Sequence, residues 1–394
     1  MSTIKPWPPA GELKGYRRSD SLFGIRNNIV VMSSVSCANS VVERIAKTDT
    51  DIIPITHQHG CTHMGADTEQ VLRTLSGTCN NPNLGGVLLV GLGCESVSVN
   101  DIASRVDRSG KMVKTLLIQE IGEIQKIMDT ARDSLRRIRD FVSKQQRSDF
   151  DIRHLTVGLE CGGSDPFSGI TANPAVGVVS DRLVELGATV ILSEIPEMIG
   201  AEVSLESRTP DDTVRRKLLA RIKDYVRFAK DAGGDLRGCN PAPGNIKAGL
   251  SSIEEKSLGS ITKGGRSNIK EFVEYARRPK CKGLVVMDTP GNDPESVTGM
   301  VAGGANLVLF TTGTGTPLGN PVAPVIKISS NTGMYRRMGD FIDIDAGEII
   351  KGTRVDALAD KIFEFLLDVC NGRQTAAEVN NCREFAINRI GPSF

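Results

Sequence analysis

The sequence predicts an α/β protein built of two doubly wound, mostly parallel-sheet domains, and three observations carry that expectation. Short apolar runs alternate along the chain with stretches of helical periodicity. Many of those runs stop at a glycine-containing loop that bears a thiol, carboxylate or hydroxyl, which is where open α/β sheets present ligand-binding groups. The length, 394 residues, exceeds that of one ordinary domain.

Taken in order, residues 1–14 contain Pro6, Pro8 and Pro9 and read as an extended segment. A first domain is expected over 15–147, with strands at 29–32, 52–55, 87–90 and 113–118. Helices at 39–46, 67–75 and 121–142 fall between and after them, the last amphipathic with alternating charge on its outer face. The stretch 143–153 is rich in charge and poor in apolar residues, so it reads as a boundary and places a second domain at 148–394. There the apolar lead-in Leu155, Val157 and Leu159 runs into Glu160, Cys161, two glycines, Ser164 and Asp165. Asn173-Pro174 opens a helix with proline at its first position and Ala175, Val176, Val179 and Leu183 at helical spacing. Further strands are expected at 189–192, 283–287, 306–310 and 325–329, with helices near 211–232 and 355–369. Residues 238–266, rich in glycine and holding Pro241 and Pro243, read as irregular and too long for an idle connection.

Composition narrows the function. Lys and Arg number 48 against 47 Asp and Glu, with no strongly basic tract, which argues against nucleic acid or an anionic membrane as the main partner. Nine cysteines, without the dense pairing of small secreted scaffolds and without a CxxC pair, read as reduced thiols in a cytoplasmic protein. No stretch has the unbroken apolar length of a membrane helix. A small molecule is the expected partner.

Chemistry-bearing residues gather at the expected strand ends. His57, His59, His63, Cys61, Cys94 and Glu95 mix imidazole, thiol and carboxylate, a set suited to Fe(II), Mn(II) or Zn(II). Cys161 joins them as a candidate metal ligand, and His63 ranks lowest because it lies furthest toward the following helix. Strand-end positions also hold Cys37, Glu194, Glu197, Asp288, Thr311 and Thr312. Lys256, in the long glycine-rich segment, can bind a carboxylate or act as a base if desolvated. Arg17 and Arg26 are candidate carboxylate clamps. Gly91-Leu92-Gly93 lacks the third glycine of a dinucleotide fingerprint, no phosphate-loop lysine pattern occurs, and neither Ser164 nor Ser168 sits in a GxSxG elbow.

These residues resemble the altronate and galactarate dehydratases. The resemblance runs through Gly15-Tyr16-Arg17, Gly24-Ile25-Arg26-Asn27, Thr56-His57, Gly60-Cys61 and residues 91–95. It continues through 158–177, 193–202, 240–244, 254–259, 288–291, 310–313 and Lys327, and so covers nearly the whole chain. It implies a divalent-metal lyase, usually with iron, that converts hexonic or hexaric acids to 2-keto-3-deoxy acids. It also ranks His57 above His59 as a ligand. Two departures matter: the small additional domain that opens fused members is not found, which implies a large subunit with a separate small partner. Asp343-Ile344-Asp345-Ala346-Gly347 stands where many fused dehydratases carry a cysteine motif.

Glu160, Asp165 and Lys256 are the candidate catalytic groups, with the base left open among them. Candidate substrate contacts are Arg17, Arg26, Ser164, Thr171, Asn173, Asn245, Thr311, Thr312 and Lys327. The competing expectation is a sulfolactate sulfo-lyase large subunit that releases sulfite and pyruvate, with Lys247, Lys263 and Arg266 as sulfonate donors. A third is a non-catalytic subunit that binds a sugar acid. Assembly as a homo- or hetero-oligomer is expected in either enzyme.

Overall fold

The computed structural model describes residues 13–18, 22–106, 111–234, 236 and 240–391. The expected extended segment therefore lies almost wholly outside the described residues, and its last two positions open a strand. That strand, β1 (Leu13–Arg17), pairs antiparallel with β2 (Phe23–Gly24). The chain then enters a parallel sheet of β3 (Asn28–Ser33), β4 (Ile52–Ile55), β5 (Leu84–Gly91) and β6 (Met112–Leu117), in the order β4-β3-β5-β6. The strand β7 (Ser148–Phe150) turns back to the other edge of β1. The stretch 143–153, expected only as a boundary, thus closes a three-stranded antiparallel sheet.

The second sheet comprises β8 (Thr156–Cys161), β9 (Thr189–Leu192), β10 (Ile269–Val273), β11 (Gly283–Met287), β12 (Leu307–Thr312), β13 (Val325–Ser329) and β14 (Ile344–Asp345). All seven run parallel in the order β10-β11-β9-β8-β12-β13-β14. Helices cover both faces because these strands are apolar on both sides: β8, β9, β11, β12 and β13 are buried almost throughout. In each sheet the strand order reverses once, between β3 and β5 and between β8 and β12, and open α/β sheets bind ligands at such reversals.

One apolar cluster joins the two sheets, containing Val30, Met32 and Leu75 from the first and Val285, Met300 and Phe310 from the second. The polar groups in this seam are paired: Asn81 Nδ2 donates to the carbonyls of Val301 and Ala305, and Asn83 Nδ2 to those of Asn306 and Val322. No helix among the described residues is long and apolar enough to cross a membrane.

Four expectations for the elements change. The helix expected over 121–142 is two, Ile118–Ile121 and Ile124–Val142, because Gly122 takes φ 79° and ends the first. The helix expected at Pro174 begins earlier, at Ala172, so proline occupies its third position. Residues 238–266 are not irregular, since they contain the helices Pro243–Lys247 and Ile253–Ile261. Pro243 opens the first of these, and the Ser252 side chain accepts from Glu255 N at the second, a cap that offsets the glycine content. The helix Val99–Val106, short but strongly amphipathic, was not foreseen.

Candidate active site and metal centre

The carboxyl end of β8 carries Glu160 into the core, with no exposed surface. Its Oε2 accepts from Ser193 Oγ at 3.0 Å and Ser296 Oγ at 2.7 Å, while Oε1 has no hydrogen-bond partner. The neighbouring strand β9 delivers Glu194, whose backbone sits in the left-handed region at φ 67°, a conformation costing a non-glycine residue about 1–3 kcal/mol. That turn aims the side chain back at β8: Glu194 Oε2 accepts from Cys161 N at 3.0 Å, and Oε1 is again unpartnered. Asp293, at the start of the helix Asp293–Ala302 that follows β11, is the third carboxylate. One oxygen from each of Glu160, Glu194 and Asp293 lies within 4.8 Å of the others. Gly162 lets this happen, because a Cβ there would collide with Asp293 Oδ2.

Three carboxylates this close and this dry cannot all ionise freely. Burial, and then the Glu194 and Asp293 carboxylates, raise Glu160 well above the usual carboxylate range. Burial, followed by Glu194 and Glu197, raises Asp293 to about 7. The internal counter-charge is Lys263, which is fully buried. Its Nζ donates to Glu194 Oε2 at 2.6 Å, Ser260 Oγ at 2.9 Å and Cys161 Sγ at 3.0 Å. Burial opposes its charge, but Cys161, Glu194 and Glu160 outweigh that and hold its pKa above the ordinary lysine value. One such cation does not balance three carboxylates. Unpartnered oxygens on Glu160 and Glu194, with Asp293 alongside, suit a hard divalent cation, for which all-oxygen donor sets are the norm. The triad can therefore hold a metal.

Beside this centre lies a cleft of about 240 Å³, lined by Ser164, Asp165, Asn173, Leu250, Lys256 and Gly259 among others. Lys256 joins cleft and core: its Nζ donates to Glu197 Oε1 at 2.7 Å and Asn240 Oδ1 at 2.7 Å. Burial works against its charge, but Glu197 more than compensates and the lysine stays protonated. Burial raises the Glu197 carboxyl, Lys256 partly opposes that, and Glu197 Oε2 has no partner.

The sequence-predicted residues divide sharply. Glu160, Ser164, Asp165, Asn173 and Lys256 meet at the β8 end or the cleft. Asp165 is saturated: Oδ1 accepts from Ser168 N, Ser168 Oγ and Ser330 Oγ, and Oδ2 from Asn331 Nδ2. It fastens the loop. Asn173 Oδ1 accepts from Thr311 Oγ1 and its Nδ2 donates to the Gly259 carbonyl, while Asn245 Nδ2 donates to the Ser164 carbonyl. Thr171 Oγ1 donates to the carbonyls of Phe167 and Ser330, and Thr312 Oγ1 accepts from Gly315 N. These contacts shape the site from behind.

Other predicted residues stand apart from this centre. Lys327 Nζ is bound to the carbonyls of Pro317 and Leu318. Arg26 pairs with Glu378 and donates to the carbonyls of Val369 and Arg373, tying the C-terminal segment to the first sheet. Arg17 is exposed on β1. Cys161 is at the centre, but burial, then Glu194, pushes its thiol to about 12, so it is held neutral beside Lys263.

The histidine-rich loop after β4 is occupied by backbone. His57 Nε2 is 2.8 Å from the Ser33 carbonyl and Nδ1 accepts from His59 N, and burial lowers its pKa to about 4. His59 Nε2 meets the Ile387 carbonyl, and His63 bridges Asp67 and Gly60 N. Glu95 accepts from Ser34 Oγ and Gly93 N, and Cys94 is exposed with Gln119 Nε2 at 3.6 Å from its sulfur. His57, Cys61, Cys94 and Glu95 do not converge on one ion; among the described residues the triad is the group that does.

Sequence reasoning missed Asp293 and gave Lys263 a different role. The signal for Asp293 was present, since Asn292-Asp293-Pro294 after an apolar run is a helix start at a strand end. Lys263, expected as a free sulfonate donor, uses all three donors internally. Lys247 and Arg266 are exposed.

Comparison with known proteins follows the same outline. The family described as D-galactarate dehydratase/Altronate hydrolase, second domain, matches residues 15–142, and that described as D-galactarate/Altronate dehydratase, C-terminal, matches 152–393. An altronate dehydratase of Bacillus subtilis is 34% identical over 390 residues, covering 96% of this chain and 78% of that protein. Galactarate dehydratase (L-threo-forming) of Escherichia coli is 35% identical over 394 residues, covering 94% and 75%. The (2R)-sulfolactate sulfo-lyase subunit beta of Chromohalobacter salexigens is 34% identical over 379 residues, covering 95% and 97%.

Proposed function

Because this chain belongs to the D-galactarate/altronate dehydratase family, a family of hydro-lyases, we propose that it removes water from a sugar acid of the altronate or galactarate type. The product is a 2-keto-3-deoxy acid. The observation that carries this reading is a protonated lysine in the wall of a cleft, backed by a carboxylate triad in which Glu160 and Glu194 each hold an unpartnered oxygen.

In this reading Lys256 Nζ binds the substrate carboxylate, at a point where Glu197 and Asn240 already fix its direction. Glu197 Oε2 takes the proton from the adjacent carbon: burial raises its proton affinity, which suits a base, and Lys256 partly opposes that rise. Ser164 and Asn173 lie where the hydroxyl-bearing chain extends along the cleft. Glu160, Glu194 and Asp293 would hold a divalent metal, Fe(II) by family resemblance, which when bound supplies Lewis-acid stabilisation of the negative charge that develops beside the carboxylate. Lys263 holds the Glu194 side chain in place.

A second reading has its own support. The sulfo-lyase relative is matched over nearly its full length, and elimination of sulfite needs the same proton removal next to a carboxylate. That relative is a beta subunit, which supports a separate subunit as partner here too. A cytoplasmic site of action and a division at 147/148 accompany both readings.

The test is anaerobic incubation with Fe(II) and altronate, galactarate or sulfolactate, followed by product mass and sulfite determination. Loss of one water from a sugar acid is expected. Sulfite with pyruvate would establish the second reading instead, and thermal stabilisation by a sugar acid with no product would make the chain a binding subunit.

A further inference from the structure

We propose that Cys37, Cys61 and Cys94 form a three-thiolate site for an iron–sulfur cluster at the carboxyl edge of the first sheet. The argument rests on topology, loop packing and thiol chemistry, and is independent of the reaction proposed above.

The three cysteines follow three strands that are neighbours in space, β3, β4 and β5, and all three lie past the same end of a parallel sheet. Adjacent strands are about 4.8 Å apart, so the three chain exits span about 10 Å. Cys37 and Cys94 flank the reversal of strand order between β3 and β5. Backbone hydrogen bonds lace the loops together: Ser36 N donates to the His59 carbonyl at 2.9 Å, and Ser96 N and Val97 N donate to the Gly60 carbonyl at 3.0 and 3.2 Å. Ser34 Oγ donates to Glu95 Oε1 across the same gap.

The loops are thereby fixed, with Cys61 packed partly against the core of the first sheet and Cys94 Sγ accepting from Gln119 Nε2 at 3.6 Å. Cys37 and Cys94 are exposed, Cys61 is partly so, and none is in a disulfide. The structural roles that commonly retain cysteine, burial or a disulfide, do not account for the exposed Cys37 and Cys94 at one sheet edge, and only partly for the half-buried Cys61 between their loops. The histidines and Glu95 that could complete a mononuclear site are spent on backbone and hydroxyl partners, and the thiols do not converge on a single ion. An iron–sulfur cluster holds its thiolates further apart, each on a separate iron, and is most often bound by cysteine. Three thiolates on a four-iron cluster leave one iron free for an oxygen ligand from solvent or a hydroxy acid. Assembly of the four-iron, four-sulfide cluster in its 2+ state releases one proton per cysteine and takes two ferrous ions, two ferric ions and four sulfides, all supplied from outside, so no electron is left over.

The experiment is anaerobic reconstitution of the full chain with equal ferrous and ferric iron, sulfide and a thiol, reading iron, acid-labile sulfide and visible absorption. The expected result is about four iron and about four sulfide per chain with broad visible absorption. Cys37→Ser, Cys61→Ser and Cys94→Ser should each lose most of that absorption, while Cys281→Ser, another exposed cysteine, and Glu160→Gln keep it. Cys37 and Cys94 are surface positions, and circular dichroism checks that their variants fold. Absence of labile sulfide in the wild type, or unchanged absorption in the Cys37 and Cys94 variants, would overturn the proposal. A cluster without dehydration would sink only the proposed reaction, and dehydration without a cluster only this site.

Discussion

The two reversals of strand order, one in each sheet, present opposite environments. At the end of β8 the charged groups are dry, mutually repelling and incompletely paired, with Glu160 fully buried and two carboxylate oxygens unpartnered. At the ends of β3 and β5 the polar side chains are paired with backbone and the thiols face outward. The sequence weights the second region more heavily, because histidine and cysteine are the residue types associated with transition metals. His57 uses both ring nitrogens on the fold, whereas Glu160 and Glu194 each hold an oxygen without a hydrogen-bond partner.

The comparison breaks most directly at Glu160. Glu160→Gln should lower turnover by about 10²–10⁴-fold while leaving the melting temperature unchanged or raised, since it removes a carboxylate whose burial costs stability. Full activity in this variant would move the centre elsewhere.

Next in size is Lys263. Lys263→Met leaves Glu194 buried without its counter-ion and should cost about 3–5 kcal/mol in denaturant unfolding. Adding Glu194→Gln should restore part of that loss, and a double mutant no more stable than the single would contradict the pairing.

The histidine region is sharpened by acid. His57 has a folded pKa of about 4, below its ordinary 6.5, so the unfolded chain binds the proton first. Stability from this group is complete above pH 6.5, falls as pH drops toward 4, and levels off below that. His57→Gln should remove about 3 kcal/mol of that acid sensitivity. Equal pH profiles for the two proteins would show that His57 is not held neutral by burial.

The smallest expected effect belongs to Gly162. A methyl group there pushes Asp293 aside, so Gly162→Ala should lower turnover about 10²-fold with little change in the far-ultraviolet spectrum.

Much of the fold was legible in the sequence because buried parallel strands are continuous apolar runs. Strands 52–55, 189–192, 283–287 and 325–329 fall where periodicity places them. Five of the described strands escaped notice, Phe23–Gly24, Ile269–Val273 and Ile344–Asp345 among them; the other two, Leu13–Arg17 and Ser148–Phe150, are short, partly charged and defined by pairing with each other over 130 residues apart, which no local pattern records. Glu160, Lys256 and the loop around Asp165 were legible because they follow an apolar run or sit in an unusual glycine-rich stretch. Asp293 carried a local helix-start signal but not its place in the site, because only the order β11-β9-β8 brings its loop beside Glu160. Burial and pairing, which separate Asp165 as a loop fastener from Glu160 as a reserve ligand, are properties of the folded chain alone.

The measurement closest to the central claim is Mn(II) binding followed by electron paramagnetic resonance, since manganese reports an oxygen site without assembling with sulfide. The account predicts one tightly bound Mn(II) per wild-type chain, lost in Glu160→Gln/Asp293→Asn and kept in Cys61→Ser/Cys94→Ser. Unchanged binding in the carboxylate variant, with loss in the cysteine variant, would contradict it.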